Sequence, residues 1–240
     1  MLGKTMKRFY KAAEAAPAEQ GFAVHLDGRG VKTPAGRPLV LPGRALADAV
    51  VAEWQAQEDE IRPHAMPLTQ VASSALVRVG PERPAITAQL LAYAGTDLLC
   101  YRAESPADLV TLQTQRWQPL LDWCQIHLDA GLVVTGALLA VEQPAAALAA
   151  LAARLDGYDL WRLTAAQAAC AAAGSLVLAL AMAEGRIDGG QCYELSVLDE
   201  TFQAGLWGED AEAAARRALL RRDIGAAHRL LALLPGDGGA

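Results

Sequence analysis

The sequence lacks the short motifs by which enzymes that act on nucleotides or acyl groups are commonly recognised. Its 240 residues contain no G-x-G-x-x-G or Walker sequence for phosphate binding, and no G-x-S-x-G around a nucleophilic serine. Gly28 and Gly30 follow a predicted strand, but a β-turn accounts for both. Ser73, Ser74 and Ser175 lie in predicted helices without a signature base nearby. We therefore predict no catalytic residue and no cofactor, and we expect the protein not to be an enzyme.

Cysteine is scarce, which argues against a disulfide framework. The four cysteines are far apart and form no C-x-x-C pair, so they indicate a reducing compartment. Cys124 and His127 lie three positions apart on a predicted helix, close enough to share an ion. A structural zinc site needs four ligands, however, and the sequence offers no second pair. We interpret the two residues as a core thiol and a surface imidazole, and we predict no metal site.

Basic charge is also sparse. The formal net charge is −6 and the pI is about 5.2. The one basic cluster, Arg216-Arg217 with Arg221-Arg222, is interleaved with acidic residues on a single predicted helix, a pattern typical of a solvated helix face. Because a nucleic-acid binder needs a concentrated basic surface, we predict no nucleic-acid partner.

Long apolar runs are few as well. Residues 163–183 are uncharged over roughly the 20 positions that a membrane span requires. This run is mostly alanine, is interrupted by Thr164 and Gln167, and has no aromatic anchor at its far end. We interpret it as one central buried helix and predict no stable membrane insertion, with a membrane-associated subunit as the alternative. The basic N-terminus precedes no apolar run, so we expect no secretory signal.

The remaining composition predicts a folded α+β protein. Hydrophobic residues make up 53% of the chain, enough for a substantial core. In residues 7–42, short alternating segments are separated by turn sequences such as Asp27-Gly28-Arg29-Gly30, which favours strands and hairpins. Beyond Gly43 the periodicity is helical. We predict a small β-rich N-terminal domain, residues 1–80, followed by a larger all-helical C-terminal domain, residues 81–240, with the junction at residues 80–84.

Local signals also predict where individual helices begin and end. Leu46, Val50 and Trp54 recur at helical spacing, and Ile61 extends the same apolar stripe. Ser105-Pro106-Ala107-Asp108 reads as a capping box with proline at the first helical position. Asp188 is a second expected cap, for a helix that runs to Trp207 and is stopped by Gly208.

The strongest candidate for a functional surface is the acidic, tryptophan-bearing stretch of residues 198–210. Glu200, Gln203 and Trp207 recur at i, i+3 and i+7, so a helix would place them on one face. A carboxylate, an amide and an indole on one stripe suit the recognition of another protein. Asp199 would point about 100° away from Glu200 and lie on another face. Alternatively, Trp207 anchors the core and Glu200 caps a helix or pairs internally.

A different class of function is also open. Paired carboxylates can perform acid–base chemistry when their surroundings separate their pKa values. The alternative is therefore a small-molecule enzyme with an acidic interdomain site at Asp199 and Glu200, assisted by Arg102 or His64.

An ordered series of short segments resembles the F1-ATPase assembly chaperone family. In the first half these are Lys7-Arg8-Phe9-Tyr10-Lys11, Gly21-Phe22, Leu26-Asp27-Gly28-Arg29, Lys32-Thr33-Pro34, Glu53-Trp54-x-x-Gln57, Met66-Pro67-Leu68-Thr69 and Tyr93 with Thr96-Asp97-Leu98-Leu99. In the second half they are Tyr101-Arg102, Gln115-x-Trp117-x-Pro119-Leu120-Leu121-x-Trp123, Gly174-Ser175, Leu198-Asp199-Glu200-x-x-Gln203 and Trp207-Gly208-Glu209-Asp210. The resemblance extends from about residue 7 to residue 234.

The resemblance implies a chaperone that binds the free F1 α subunit and prevents its aggregation before it pairs with the β subunit. It implies partner-binding residues at Glu200, Gln203, Trp207 and Asp210, with Trp54 and Asp199 in supporting roles. We expect a soluble monomer in the cytoplasm of a bacterium, and a mitochondrial matrix location for eukaryotic relatives. One departure is Phe202, which stands where a second tryptophan is expected, preceded by Cys192-Tyr193.

Overall fold

The computed structural model describes residues 6–137 and 141–235, and the chain falls into two compact units. The first unit comprises residues up to Arg83 together with the segment from Arg229 onward, and the second comprises Pro84–His228. Every named strand of the described residues lies in the first unit. The predicted fold class, a small strand-containing region followed by a helical one, is confirmed. The division into domains of residues 1–80 and 81–240 stays a prediction.

The strands of the first unit form two small antiparallel sheets. Their bounds are β1 Met6–Lys7, β2 Ala13–Ala18, β3 Gly21–Leu26, β4 Arg29–Gly30, β5 Val40–Leu41 and β6 Glu60–Ile61. β3 pairs with β2, β4 and β5, while β1 pairs with β6. The predicted turn between β3 and β4 is confirmed, since Asp27 and Gly28 both have positive φ, 47° and 77°. Positive φ at both central residues suits a two-residue hairpin.

Gly21 sets the distance between β3 and β5. Its φ is 116°, and a Cβ atom there would lie 2.1 Å from the carbonyl oxygen of Leu41. Only glycine permits so close an approach of two backbones. The side chain of Leu41 is fully buried, so this approach fixes part of the apolar core.

The first unit also contains helical elements, of which the first packs against the larger sheet. They are α1 Arg44–Gln55, a 3₁₀ turn Pro63–Ala65, α2 Pro67–Ser74 and a π-helical turn Ala75–Val79. The prediction that Ile61 continues the α1 stripe is wrong. The helix ends at Gln55, and Ile61 lies in β6, paired with Met6. The side chain of Ile61 is buried although its backbone is extended. An apolar residue at helical spacing from α1 therefore does not show that the helix continues.

The second unit consists of helices. In chain order they are α3 Arg83–Gly95, a 3₁₀ turn Leu98–Cys100, α4 Ala107–Leu128, α5 Ala145–Asp156, α6 Leu160–Ala173, α7 Leu176–Ala183, α8 Gly189–Ser196, α9 Leu198–Trp207 and α10 Ala211–Ala232, whose last residues from Arg229 belong to the first unit. Indole Nε1 of the fully buried Trp117 donates to the carbonyl oxygen of Leu195 at 3.0 Å, which ties α4 to α8.

The uncharged run of residues 163–183 forms two helices, so the prediction of one continuous helix is wrong. Gly174 adopts a left-handed φ of 68° and ends α6, and the Ser175 hydroxyl accepts from the amide of Leu178 to begin α7. Every residue of α7 is buried. Among the described helices, none combines the length and apolar character needed to cross a membrane.

Two predicted helix boundaries also need correction. Pro106, and not Ser105, is the N-cap of α4, because its carbonyl accepts the first amides of the helix, those of Leu109 and Val110. The helix expected from Asp188 to Trp207 is divided at Val197, whose ψ of 17° departs from helical geometry. The Asp188 capping box with Gln191 is confirmed, as is the stop at Gly208, where φ is 89°.

The buried carboxyl of Asp97 holds two elements together. It accepts from the amide of Leu99 at 3.0 Å, the amide of Val177 at 3.0 Å and the hydroxyl of Ser175 at 2.8 Å. These bonds satisfy donors at the start of the 3₁₀ turn and at the start of α7. Burial raises the pKa of Asp97, and the hydrogen bonds only partly oppose this.

Candidate functional site

Helices α9 and α10, joined at Gly208–Asp210, carry most of the predicted site. Asp210 Oδ2 accepts from the amide of Ala213 at 3.0 Å, so this carboxylate caps α10. The cap uses one of the four amides that a helix leaves without partners at its start. Asp210 therefore has a structural contact of its own within the candidate site.

Ion pairs connect the acidic residues of the stretch to α10. Glu200 pairs with Arg216 and lies 3.9 Å from the guanidinium of Arg217, which also pairs with Glu209. Arg217 is only 8% exposed, so the prediction of a solvated side chain is wrong for this residue, whereas Arg216 and Arg221 are exposed as predicted. Two carboxylates compensate the burial of this guanidinium. The acidic side chains thus hold α9 against α10.

Trp207 projects into solvent at the end of α9. It is 83% exposed and its neighbour Leu206 is 59% exposed, while Gln203 is exposed one turn earlier on the helix. The alternative that Trp207 anchors the core therefore does not hold. The two residues are consecutive on the helix and point about 100° apart, so they present two apolar side chains on adjoining faces of this helix end, which we call the patch.

Asp199 faces inward, towards α4. Its Oδ1 accepts from Nε2 of the buried Gln113 at 2.8 Å. Burial raises the pKa of Asp199, and the bond from Gln113 and the charge of Arg102 oppose that shift. The carboxyl thus connects the patch-bearing helix to the core.

All the predicted residues of this stretch line one shallow groove. Its volume is about 480 Å³. The lining side chains come from α9, α10 and the loop between them, and they include Asp199, Glu200, Gln203, Trp207, Asp210, Arg216 and Arg217. The carboxyl of Asp199 points towards Gln113 on α4, as expected for a residue on another face than Glu200. The residue nevertheless borders the groove.

A larger groove lies along the other side of α9. It measures about 760 Å³ and is bordered by α4, α8, α9 and α10, with Leu112, Tyr193, Phe202 and Arg221 among its residues. The guanidinium of Arg221 lies 5.5 Å from the centre of the Tyr193 ring, a cation–π contact. Phe202, the departure from the expected tryptophan, is therefore a half-buried wall of this groove.

Trp54 belongs to the first unit and packs at the end of α1. Its ring meets the ring of Tyr10 edge to face at 5.8 Å, and its carbonyl accepts from the Tyr10 hydroxyl at 2.7 Å. The neighbouring Glu53 caps α2 by accepting from the amides of Leu68 and Thr69, each at 2.8 Å. Both residues of this motif hold α1 to adjacent segments.

The residues of the enzyme alternative have other contacts. Arg102 Nε donates to the carbonyl oxygen of Leu99 at 2.8 Å, and its guanidinium lies 5.4 Å from the Trp117 ring centre. His64 is an exposed residue of the 3₁₀ turn in the first unit. Asp199 and Glu200 are bonded to Gln113 and Arg216, respectively. The contacts of Arg102, Asp199 and Glu200 therefore assign structural roles to these three residues.

The cysteines are buried and free. In the described residues no three His, Cys, Asp or Glu side chains converge as metal ligands would. Cys124 is fully buried, whereas His127 is exposed and its ring lies 6.3 Å from that of Trp123. Burial raises the pKa of Cys100, Cys124 and Cys192 to about 12. These thiols therefore stay protonated and unreactive at neutral pH.

Several residues of the site could not be assigned from the sequence. The sequence pattern predicts a solvated helix face for Arg216 and Arg217, and it gives no signal for Leu206 or Gln113. The charge pattern could have indicated the ion pairs. Two consecutive helices of opposite charge, joined by a short loop, bring their acidic residues and arginines together. Nothing local marks Gln113, since its partner Asp199 is 86 positions away.

This arrangement has the character of a protein-recognition surface. Its charged groups are engaged in holding two helices in place, and the side chains left in solvent include a tryptophan, a leucine and the amide of Gln203. Large rigid aromatics are the side chains that dominate binding energy at protein interfaces.

Comparison with known proteins shows which family this chain is similar to. The family model of the ATP12 chaperone protein matches residues 7–125. Atp12 from Paracoccus denitrificans superposes with a TM-score of 0.89 at 41% identity, over 95% of this chain and 98% of that one. A candidate chaperone from Agrobacterium tumefaciens gives a TM-score of 0.91 at 39% identity, over 96% and 87%. Mitochondrial atp12 of Schizosaccharomyces pombe is 24% identical over 221 residues, 86% of this chain and 76% of that protein.

The chain belongs to the ATP12 chaperone family. The resemblance to F1-ATPase assembly chaperones predicted from the sequence is thereby confirmed.

Proposed function

We propose that this chain is a non-enzymatic chaperone for assembly of the F1 sector of ATP synthase, and that it binds the free α subunit through the surface around Trp207. Membership of the ATP12 chaperone family supports the class of activity. The observation that carries the site is the 83% exposure of Trp207 on a helix whose acidic residues are already engaged.

The geometry suits a temporary cap on an apolar surface. Unassembled subunits expose contact surfaces that a partner later covers, and such surfaces aggregate when left open. Trp207 and Leu206 supply apolar area, while the exposed amide of Gln203 supplies hydrogen-bonding groups. Because ion pairs tie α9 to α10, the backbone that carries these side chains needs little further ordering on binding.

The remaining features of the proposal follow the family assignment. We propose that the protein acts as a monomer, in the cytoplasm if its host is a bacterium and in the mitochondrial matrix in eukaryotic relatives. Glu200, Asp210 and Asp199 act chiefly by positioning the patch, and Trp54 acts by holding α1 in the first unit.

The test is co-expression with the cognate F1 α subunit, comparing wild type with Trp207→Ala. We expect wild type to keep the α subunit soluble and to co-purify with it. Removing a hot-spot tryptophan costs about 2 kcal/mol or more of binding, so the variant should bind roughly thirtyfold more weakly.

Ile126→Ala is the matched control. Ile126 is 72% exposed in the same unit, so its loss removes a similar exposed apolar group away from the candidate groove. It should leave α-subunit recovery unchanged. Equal aggregation of the α subunit with and without the wild-type chain would refute the proposed function. Equal recovery with Trp207→Ala and wild type would refute the site alone.

A further inference from the structure

A groove lies entirely within the first unit, on residues that the proposed α9 surface does not use. Its volume is about 590 Å³, within the 300–1,000 Å³ typical of ligand sites. The walls are mainly apolar and include Val31, Leu39, Trp54, Ile61, Met66 and Val77. Folding of this unit thus leaves an apolar concavity facing outward.

Two side chains of this groove have unfavourable surroundings: one leaves apolar area in solvent, and the other has a buried hydrogen-bond donor without an acceptor. Met6, on its rim, is 53% exposed although it is large and apolar. Indole Nε1 of Trp54 is buried and has no hydrogen-bond acceptor among the described residues. A buried donor without an acceptor costs about 1–3 kcal/mol. An occupant that turns the indole and offers a carbonyl oxygen would recover that cost.

The charge of the lining is one-sided. Lys32 and Arg78 are its only charged residues, although the chain has 27 acidic and 21 basic residues. Arg78 approaches Glu82 at 4.0 Å, whereas Lys32 is an exposed residue of the rim. A basic rim on an acidic protein favours an occupant that carries a carboxylate.

The backbone of one wall is extended. Met6 and Ile61 are a register pair of the two-stranded β1–β6 sheet, and both line the groove. In the described residues neither strand pairs with a third one, so each has an outer edge. An added extended peptide can bond to such an edge while its alternate side chains enter an adjoining pocket.

We propose that this groove binds an extended apolar segment of the client, flanked by an acidic residue that meets Lys32. The inference rests on the proposed function for its choice of occupant. It gives the protein a second contact with the client, and the two contacts together would bind more tightly than either alone.

The test is a titration of the full chain, labelled with ¹⁵N at the tryptophan indoles, with two synthetic peptides. Each peptide has a core of alternating leucine and valine, flanked by aspartate in one and by lysine in the other. Trp54→Phe identifies the Trp54 indole signal by its loss. We expect the aspartate peptide to shift that signal and to bind about tenfold more tightly than the lysine peptide.

Lys32→Glu is the decisive variant, because Lys32 is an exposed residue of an isolated β-bridge and its change leaves the core intact. It should reverse the preference between the two peptides, while Lys11→Glu, an exposed cation outside the groove, should not. An unmoved Trp54 signal, or the same preference in both variants, would overturn the inference.

The α-subunit recovery assay separates this inference from the proposed function. If wild type rescues the α subunit and Lys32→Glu rescues it equally, the client does not use this groove and the inference fails while the function stands. If wild type fails to rescue it, the proposed function fails. The peptide titration then shows by itself whether the groove binds an acidic apolar segment.

Discussion

Asp27 in the strand-containing unit and Asp97 in the helical unit make similar hydrogen bonds in opposite surroundings. Asp27 accepts from the backbone amides of Lys11 and Ala12, at 3.1 and 2.8 Å. Asp97 accepts from the amides of Leu99 and Val177, both at 3.0 Å. Yet the pKa of Asp27 is lowered, mainly by its backbone bonds, and the pKa of Asp97 is raised by burial.

The comparison shows that the environment, and not the count of bonds, decides which protonation state is favoured. At the exposed hairpin, water has already solvated the carboxylate, so each amide adds a preference for the charged form. In the core, the loss of water outweighs the same amides. The two residues therefore tie segments together with opposite dependence on pH.

The largest effect is expected from Asp97→Ala. It leaves two backbone amides and the Ser175 hydroxyl buried without their acceptor, so we expect a loss of about 3–5 kcal/mol in the free energy of unfolding, measured by urea denaturation. Asp122→Ala, which removes an exposed carboxylate on α4, is the control and should cost less than about 0.5 kcal/mol. Equal losses in the two variants would contradict the role assigned to Asp97.

A smaller effect is expected at Glu200, a third carboxylate whose partners are arginines. Glu200→Lys places a cation beside Arg216 and Arg217, and we expect it to cost about 1 kcal/mol because the pair is partly exposed. Adding Arg216→Glu should restore most of that loss in urea denaturation, since the charges are exchanged.

Recovery of the α subunit gives this pair of variants a second readout. If Glu200 only positions the patch, the double variant should regain client binding along with stability. Stability restored without client binding would instead place Glu200 in direct contact with the client.

The smallest effect is expected from Asp27→Asn, and it concerns the slope of stability against pH. Because the folded pKa of Asp27 lies below its ordinary value of 3.8, the stabilisation is complete above that value and is lost as pH falls through the lowered pKa. Urea midpoints measured from about pH 6 to about pH 3 should therefore fall less steeply in the variant. The same acid slope in both proteins would argue against the assigned shift.

Asp97 should act in the reverse direction over its own range. Its raised pKa means that the folded state holds the proton more tightly than the unfolded state does, so its contribution to stability decreases as pH rises from the ordinary carboxyl range to the raised value. Asp97→Asn should remove that decrease while leaving the acid slope from Asp27 in place.

What the sequence predicted correctly depends on neighbours within a few residues. The Asp27-Gly28 turn, the Asp188 capping box and the stop at Gly208 each follow from local backbone requirements. The stripe of Glu200, Gln203 and Trp207 follows from helical geometry in the same way. The placement of these residues around one groove on α9 and α10 is local too, since the connecting loop is short.

What the sequence could not predict depends on distant partners. Asp97 meets Ser175 across 78 positions, and Gln113 meets Asp199 across 86. Ile61 matched the α1 stripe because burial alone, and not helix continuation, selects an apolar residue there. Whether Trp207 was buried or exposed was equally undecided by pattern, since either packing or binding accounts for a tryptophan on a helix face.

The missing side chain at Gly21 limits which residues this position of the chain can accept. A Cβ atom at that position would lie 2.1 Å from a backbone oxygen, so any replacement must first move β5 and the buried Leu41 with it. At Gly36, by contrast, φ is also positive but nothing lies within 4 Å, so asparagine or aspartate could be accepted at modest cost. Substitution is therefore tolerated at Gly36, whereas at Gly21 the carbonyl oxygen of Leu41 excludes any side chain.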